Sequence, residues 1–284
     1  MTPTTHSQTE PEPFNRPVSN CISADQAAWL KRELMRRRQI RICRCMLLIL
    51  FLSLWELSAL NGWIDSFIFS SPSLIGRCLL SMAADRSLFL HTGITLGETL
   101  VSFLICTLGG LGCALLLWLS PTAAQILEPV FVLLNSLPKS ALAPLLIVWL
   151  GNRPRTIITA AVSVAIFGSV LTLYTGFSRI DPDLIRLIRS LGGTRLHILK
   201  LVVLPGSLPL LISNMKVNIG LCLVGVIIGE FLSSKAGLGY LITYGSQTFA
   251  MTRVITSIVI LCVLSVLLYQ IISWCEKRVS QYSR

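Results

Sequence analysis

Asp181-Pro182-Asp183-Leu184-Ile185-Arg186-Leu187-Ile188-Arg189-Ser190-Leu191-Gly192-Gly193-Thr194-Arg195, running on through His197 and Lys200 to Leu204-Pro205, is a polar, basic stretch between two long apolar runs. An early proline suits the first turn of a helix and paired glycines interrupt one. The stretch therefore reads as a short helix, a glycine break and a second short helix. Leu187, Ile188 and Leu191 fall at i, i+1 and i+4 and predict an apolar face, with Arg186, Arg189 and Arg195 as its polar rim. A knob of this kind, carried on one side of a membrane protein, is built to be gripped.

The flanking runs set the fold. The 284-residue chain is 53% hydrophobic and 13% charged, with a mean hydropathy of +0.73; soluble domains carry about a quarter charged residues. Six apolar runs, near 45–62, 93–119, 127–150, 156–177, 208–232 and 254–275, are each long enough to cross a bilayer. Lipid offers no partners to backbone groups, so such runs are helices or closed barrels, and the lack of strict alternation favours helices. The expected fold is an all-α integral membrane protein with about six transmembrane helices.

A net charge of +11 would suggest nucleic acid in a soluble protein, but here its distribution explains it. The first 44 residues hold eight of the 24 basic residues (Arg16, Lys31, Arg32, Arg36, Arg37, Arg38, Arg41 and Arg44). With six spans, the knob and the C-terminus share that side and add eight more, against six on the opposite side. This bias predicts both termini in the cytoplasm, although Arg153 and Arg155 in a short outer loop run against it. The division that follows is a cytoplasmic, largely disordered polar and basic segment over 1–44, a membrane domain over 45–277 containing the loop 178–207, and a cytoplasmic tail over 278–284. Residues 25–44 could also form a basic helix on anionic headgroups. The nine cysteines make no metal or disulfide framework.

Two spans carry polar residues at membrane depth. Around Asn135-Ser136-Leu137-Pro138-Lys139 and Pro144, two prolines free backbone carbonyls, which is tolerable where the helix lines a cavity or packs on protein. Lys139 would cost about 2.5–3.5 kcal/mol in lipid, so it snorkels, pairs with Glu56, Glu98 or Glu128, or serves a pathway. The fifth span holds Lys216, Asn218 and Glu230, then Ser233 to Tyr240. Gly237-x-Gly239 lacks the strand and third glycine of a nucleotide fingerprint and reads as a tight turn opening a re-entrant or interfacial element. Glu230 is either a partner for Lys235 or Arg253 or part of a gate. Asn135, Lys139, Asn218 and Glu230 are the candidates for a pathway or its gates. The sequence contains no Gly-x4-Gly-Lys-Ser/Thr, so any energy the chain uses has to come from a partner or an ion gradient.

The 181–205 stretch resembles the cytoplasmic loop of permease subunits of bacterial ABC importers: a Glu-Ala-Ala triplet, three residues, Gly, and later Leu-Pro. Gly192 and Leu204-Pro205 match, whereas Arg186-Leu187-Ile188 replaces the triplet and Gly193 the usual Ala. Pro138-Lys-x-Ala-Leu-Ala-Pro144 with Trp149 and Gly151, Leu54-Trp55-Glu56-Leu57, Pro72-Ser73, and Gly229-Glu230 followed by Ala236-Gly-Leu-Gly-Tyr240 look like the subfamily importing nitrate, sulfonates and taurine. The resemblance implies a type I importer permease of the bacterial inner membrane, itself not an enzyme. It implies a second permease copy, two cytoplasmic ATPases that hold ATP and magnesium, and an extracytoplasmic solute-binding protein. Membrane lipid surrounds such a subunit, and no nucleic acid or metal enters. Arg186, Leu187, Arg189, Ser190, Leu191, Gly192 and Gly193 would meet the ATPase, and the solute would be small and anionic. The alternative is a gradient-driven secondary carrier or channel.

Overall fold

Prolines and small polar caps mark where the helices begin. The computed structural model describes residues 24–282; of the segment 1–44 expected to be largely disordered, residues 1–23 lie outside that range, whereas 24–44 are helical. The helices are α1 (Ala24–Leu60), α2 (Ser66–Phe69), α3 (Pro72–Ala84), α4 (Ser87–Leu119), α5 (Pro121–Ser136), α6 (Lys139–Leu150) and α7 (Pro154–Ser178). After them come α8 (Pro182–Ser190), α9 (Arg195–Ile198), a π-helical turn (Leu199–Val203), α10 (Leu204–Gly206), α11 (Leu208–Ser233), α12 (Leu238–Gln247) and α13 (Met251–Tyr282). No strand occurs among the described residues. Pro72, Pro121, Pro154 and Pro182 occupy first helical positions, where the missing N–H costs nothing. Ser71, Ser120 and Asp181 cap three of these starts by accepting from Leu74 N, Ala123 N and Asp183 N.

Among the described residues five helices are long and apolar enough to cross a membrane: α1, α4, α7, α11 and α13. The sixth expected run, 127–150, is not one rod. It is the pair α5 and α6, bent by 103° at a short break. Pro138 is responsible, because the residue before a proline is pushed out of helical geometry, and Leu137 has φ −63° and ψ 139°. Gly151, at φ +75°, then stops α6. The short apolar helix α3 opens at Pro72 and ends at Ala84.

Residues up to 57 form one unit and residues 58–284 another. The first holds most of α1, which starts at Ala24 and carries seven of the polar segment's eight basic residues on a helix before its apolar half. In the second, α7 is the hub, packed most extensively on α11 and α4, with α5 and α6 also against it. Apolar association has little driving force between helices in lipid, so close approach through small residues has to supply contact. A Cβ on Gly225 of α11 would come 2.5 Å from Ala161 Cα of α7, and one on Gly229 would come 3.0 Å from Ile157 Cα. One apolar cluster joins α3, α11, α12 and α13 through Met82, Leu223, Leu238, Leu241, Leu261 and Leu264. Another joins Ala114, Leu173 and Phe177 to Ile198, Leu199 and Val203 at the root of the knob. Lys216 is paired with Glu276 and lies 5.7 Å from the Tyr269 ring, tying α11 to α13.

Gly225→Val will force α7 and α11 apart at a cost of about 1–3 kcal/mol or more. Its melting temperature in detergent should fall by several degrees, whereas Gly220→Ala, whose added methyl meets nothing within 4 Å, should leave it unchanged.

Candidate functional site

The knob begins at Asp181, whose side chain accepts from Asp183 N at 2.9 Å, and Arg186 pairs with Asp183 at 3.2 Å on its outer surface. That pair is fully washed by solvent and contributes little to stability. The helix ends at Gly192, held at φ +79°, a left-handed backbone natural to glycine. Gly193 is needed for a different reason. Its N–H donates to Ile188 O at 2.9 Å, and a Cβ there would lie 2.7 Å from that oxygen.

The expected apolar face needs correction. Ile188 turns inward with Ile185 onto the cluster of Ile198, Leu199, Val203 and Phe177. The face left outward is Leu184, Leu187 and Leu191, exposed by 48, 55 and 75%. These fall at i, i+3 and i+7, one helical stripe. Arg186, Arg189 and Ser190 are exposed beside it. Arg195, read as part of the rim, instead reaches back: its Nη1 donates to Leu119 O at 2.8 Å, filling an orphan carbonyl at the end of α4. Thr194 and His197 form a reciprocal cap that starts α9, with Thr194 N donating to His197 Nδ1 at 3.2 Å.

At the break between α5 and α6, Lys139 Nζ donates to Asn135 O at 2.9 Å and to Asn135 Oδ1 at 3.1 Å. Asn135 Oδ1 in turn lies over Gly168 of α7, 3.3 Å from where a Cβ would stand. Two of the four pathway candidates are thus brought together. Lys139 is fixed by its own helix break rather than by a carboxylate, while Glu98 faces Glu230 instead.

The other two lie in helix contacts. Asn218 is 1% exposed and donates through Nδ2 to Ser169 Oγ at 2.9 Å, while Asn214 Nδ2 donates to the same oxygen at 2.7 Å. Glu230, also 1% exposed, pairs with neither Lys235 nor Arg253. One oxygen accepts from Thr95 Oγ1 at 2.7 Å and the other from Gly239 N at 2.6 Å. Leu238 N donates to Thr95 Oγ1 at 2.8 Å and Gly237 N to His91 Nδ1 at 3.0 Å. Glu230 is therefore a carboxyl set on the N-terminus of α12, accepting from its first turn, and it locks the 237–239 turn to α4 and α11. A Cβ on Gly237 would fall 2.3 Å from Glu230 Oε1. Sequence reading missed Thr95, His91, Asn214 and Ser169, whose partners lie far along the chain; the visible signal was polar residues at helical spacing, as in His91, Thr95 and Glu98.

An exposed leucine ridge thus stands on a rooted basic knob joined to a hub of membrane helices. The model of the family described as "binding-protein-dependent transport system inner membrane component" matches residues 106–281. The chain belongs to that family. This permease is 29% identical over 241 residues to a probable ABC transporter permease protein of Haemophilus influenzae, covering 84% of this chain and 98% of the relative. It is 26% identical over 227 residues to the taurine transport system permease protein TauC of Escherichia coli, covering 78% and 82%. Relatives named for aliphatic sulfonate and nitrate transport also match, in keeping with the expected resemblance. Among solved structures, it superposes on the inward-facing MetNI methionine ABC transporter with a TM-score of 0.58 at 21% identity, over 68% of this chain and 94% of that one. The expected type I permease fold is thereby borne out.

Glu230→Ala will strand the Thr95 hydroxyl and the Gly239 N–H, each loss worth about 1–3 kcal/mol when buried. Hydrogen exchange at residues 237–240 of the purified permease should speed up at least tenfold, with a lowered melting temperature.

Proposed function

We propose that this chain is the membrane-spanning, non-catalytic subunit of an ATP-driven, binding-protein-dependent importer that carries a small anionic solute into the cytoplasm. The observation that carries the reading is the Leu184–Leu187–Leu191 ridge. Three large apolar side chains stand exposed on a short helix rimmed by arginines and rooted in the ends of α4 and α7. A soluble partner groove is the natural cover for such a ridge, with its apolar centre and charged border matching the usual anatomy of an interface.

In this reading the partner is a pair of cytoplasmic ATPases that hold ATP and magnesium, and this chain binds neither. Gly192 and Gly193 shape the turn behind the ridge, while Arg186 and Arg189 frame it. Closure of the ATPases draws two knobs together, one on each permease copy, and biases the helices between inward- and outward-facing states. Both termini and the knob lie in the cytoplasm, and an extracytoplasmic binding protein delivers solute to the far side, the side of the 237–239 turn. No bond in the solute is made or broken. Support for an anionic solute comes from Lys139 at the span break and from the relatives named for taurine, sulfonate and nitrate transport.

Purified in mild detergent, the tagged permease should bring down an ATPase. Leu187→Asp with Leu191→Asp should lower the recovered ATPase at least about tenfold, because buried apolar anchors dominate such interfaces, while the variant stays monodisperse. Equal recovery from both proteins would refute the ridge as the docking site, and no ATPase with either would remove the importer reading.

A further inference from the structure

α7 presents one unusual face. Gly168, Thr172, Thr175 and Arg179 fall at i, i+4, i+7 and i+11 and so share a stripe. Between residues 160 and 177 the exposed positions are Thr172 and Thr175, while Ala161, Ala165, Ser169, Val170, Leu173 and Phe177 are buried. Thr172, Thr175 and Arg179 are exposed. Thr99, Thr159 and Thr256 return their hydroxyls to the carbonyl four residues back; among the described residues, Thr172 and Thr175 donate to nothing. Arg179 has no carboxylate partner among the described residues either. With Leu171, Gly176 and Leu210, these three line an open recess of about 420 Å³, within the size range of small-ligand sites.

The stripe continues upward to a second cation. Gly168 is the residue over which Asn135 Oδ1 lies, and Asn135 holds Lys139 Nζ. At about 1.5 Å per residue, roughly 16 Å of helix separates Gly168 from Arg179, and the two threonine hydroxyls stand between. A polar, cationic stripe does not face lipid tails. Nor does it suit a dry two-fold contact with a second copy, because an isologous interface sets a patch against itself and would bring like charges together. A water-filled path carrying anions satisfies both constraints.

We propose that this stripe is the anion-binding wall of the translocation path, with Lys139 and Asn135 as one station and Arg179, Thr172 and Thr175 as the exit station for a small oxyanion. The proposal rests on the importer reading and names its substrate class: a sulfonate-like or nitrate-like group. A guanidinium offers such oxygens two parallel donors, and each threonine adds one.

Cysteine substitution tests it in the full permease–ATPase complex. Thr172→Cys and Thr175→Cys are treated with 2-sulfonatoethyl methanethiosulfonate or with its trimethylammonium analogue, and modification of that peptide is read by mass spectrometry beside wild type. The thiolate displaces methanesulfinate and forms a mixed disulfide. A nearby cation activates the thiol towards both reagents alike, so the ratio of the two rates isolates selectivity for the anion. The expected ratio favours the sulfonate about tenfold, as focusing by a fixed charge allows. It should fall severalfold when Arg179→Gln is added, survive in Arg179→Lys, and drop in the presence of taurine or nitrate. If neither reagent reaches either position, the face is sealed by a second copy or by lipid and the proposal is overturned. A ratio unchanged by Arg179→Gln also overturns it. Co-purified ATPase is measured on the same samples: its presence with a flat ratio leaves the importer reading standing without this wall, and its absence from wild type removes both.

Discussion

The contact between α7 and α11 governs the rest of the molecule. In lipid, two apolar helices gain little from touching, because their alternative neighbours are equally apolar. What fixes this pair is closeness: Gly225 against Ala161 and Gly229 against Ile157 let the backbones meet. The gap is then closed by amide-to-hydroxyl bonds, with Asn214 and Asn218 both donating to Ser169. Gly110 on α4 leaves room for the same serine, since a Cβ there would come 2.9 Å from Ser169 Oγ. Three helices are thus keyed to a single hydroxyl. The knob at one end of α7 and the 237–239 turn beyond α11 are both held in place by what this junction fixes.

Polar residues at membrane depth serve two separate purposes in this chain. Glu230, Thr95, Asn214, Asn218 and Ser169 are buried and satisfied; they specify which helices meet and in what register. Asn135 and Lys139 at the break between α5 and α6, and Thr172 and Thr175 on α7, are left open by packing. The difference is burial and partnership, and residue type gives no hint of it.

That difference sets the limit of what could be read from the sequence. The apolar runs, the knob and its glycines were legible because each depends on composition, period or backbone chemistry within a few residues. The bend at Pro138 was half legible: two prolines signalled irregular backbone but not its angle. Ile188 was misread because apolar residues on both sides of a short helix leave its orientation undecided until a core exists to claim one side. Glu230 and Asn218 were correctly noticed as unusual, but their partners lie 135 and 49 residues away in sequence, a distance no local pattern spans. Thr172, Thr175 and Arg179 were passed over in the sequence, because their shared stripe stands out only once the burial around it on α7 is known.

One hydrogen bond changes the mechanical character of the knob. Because Arg195 is fastened to the last carbonyl of α4 while Ile185 and Ile188 sit on the end of α7, the knob is a braced strut with two footings instead of a tethered loop. A sideways load at Leu187 or Leu191 would divide between two helices that are themselves packed together, and little of the displacement would be lost in bending the loop.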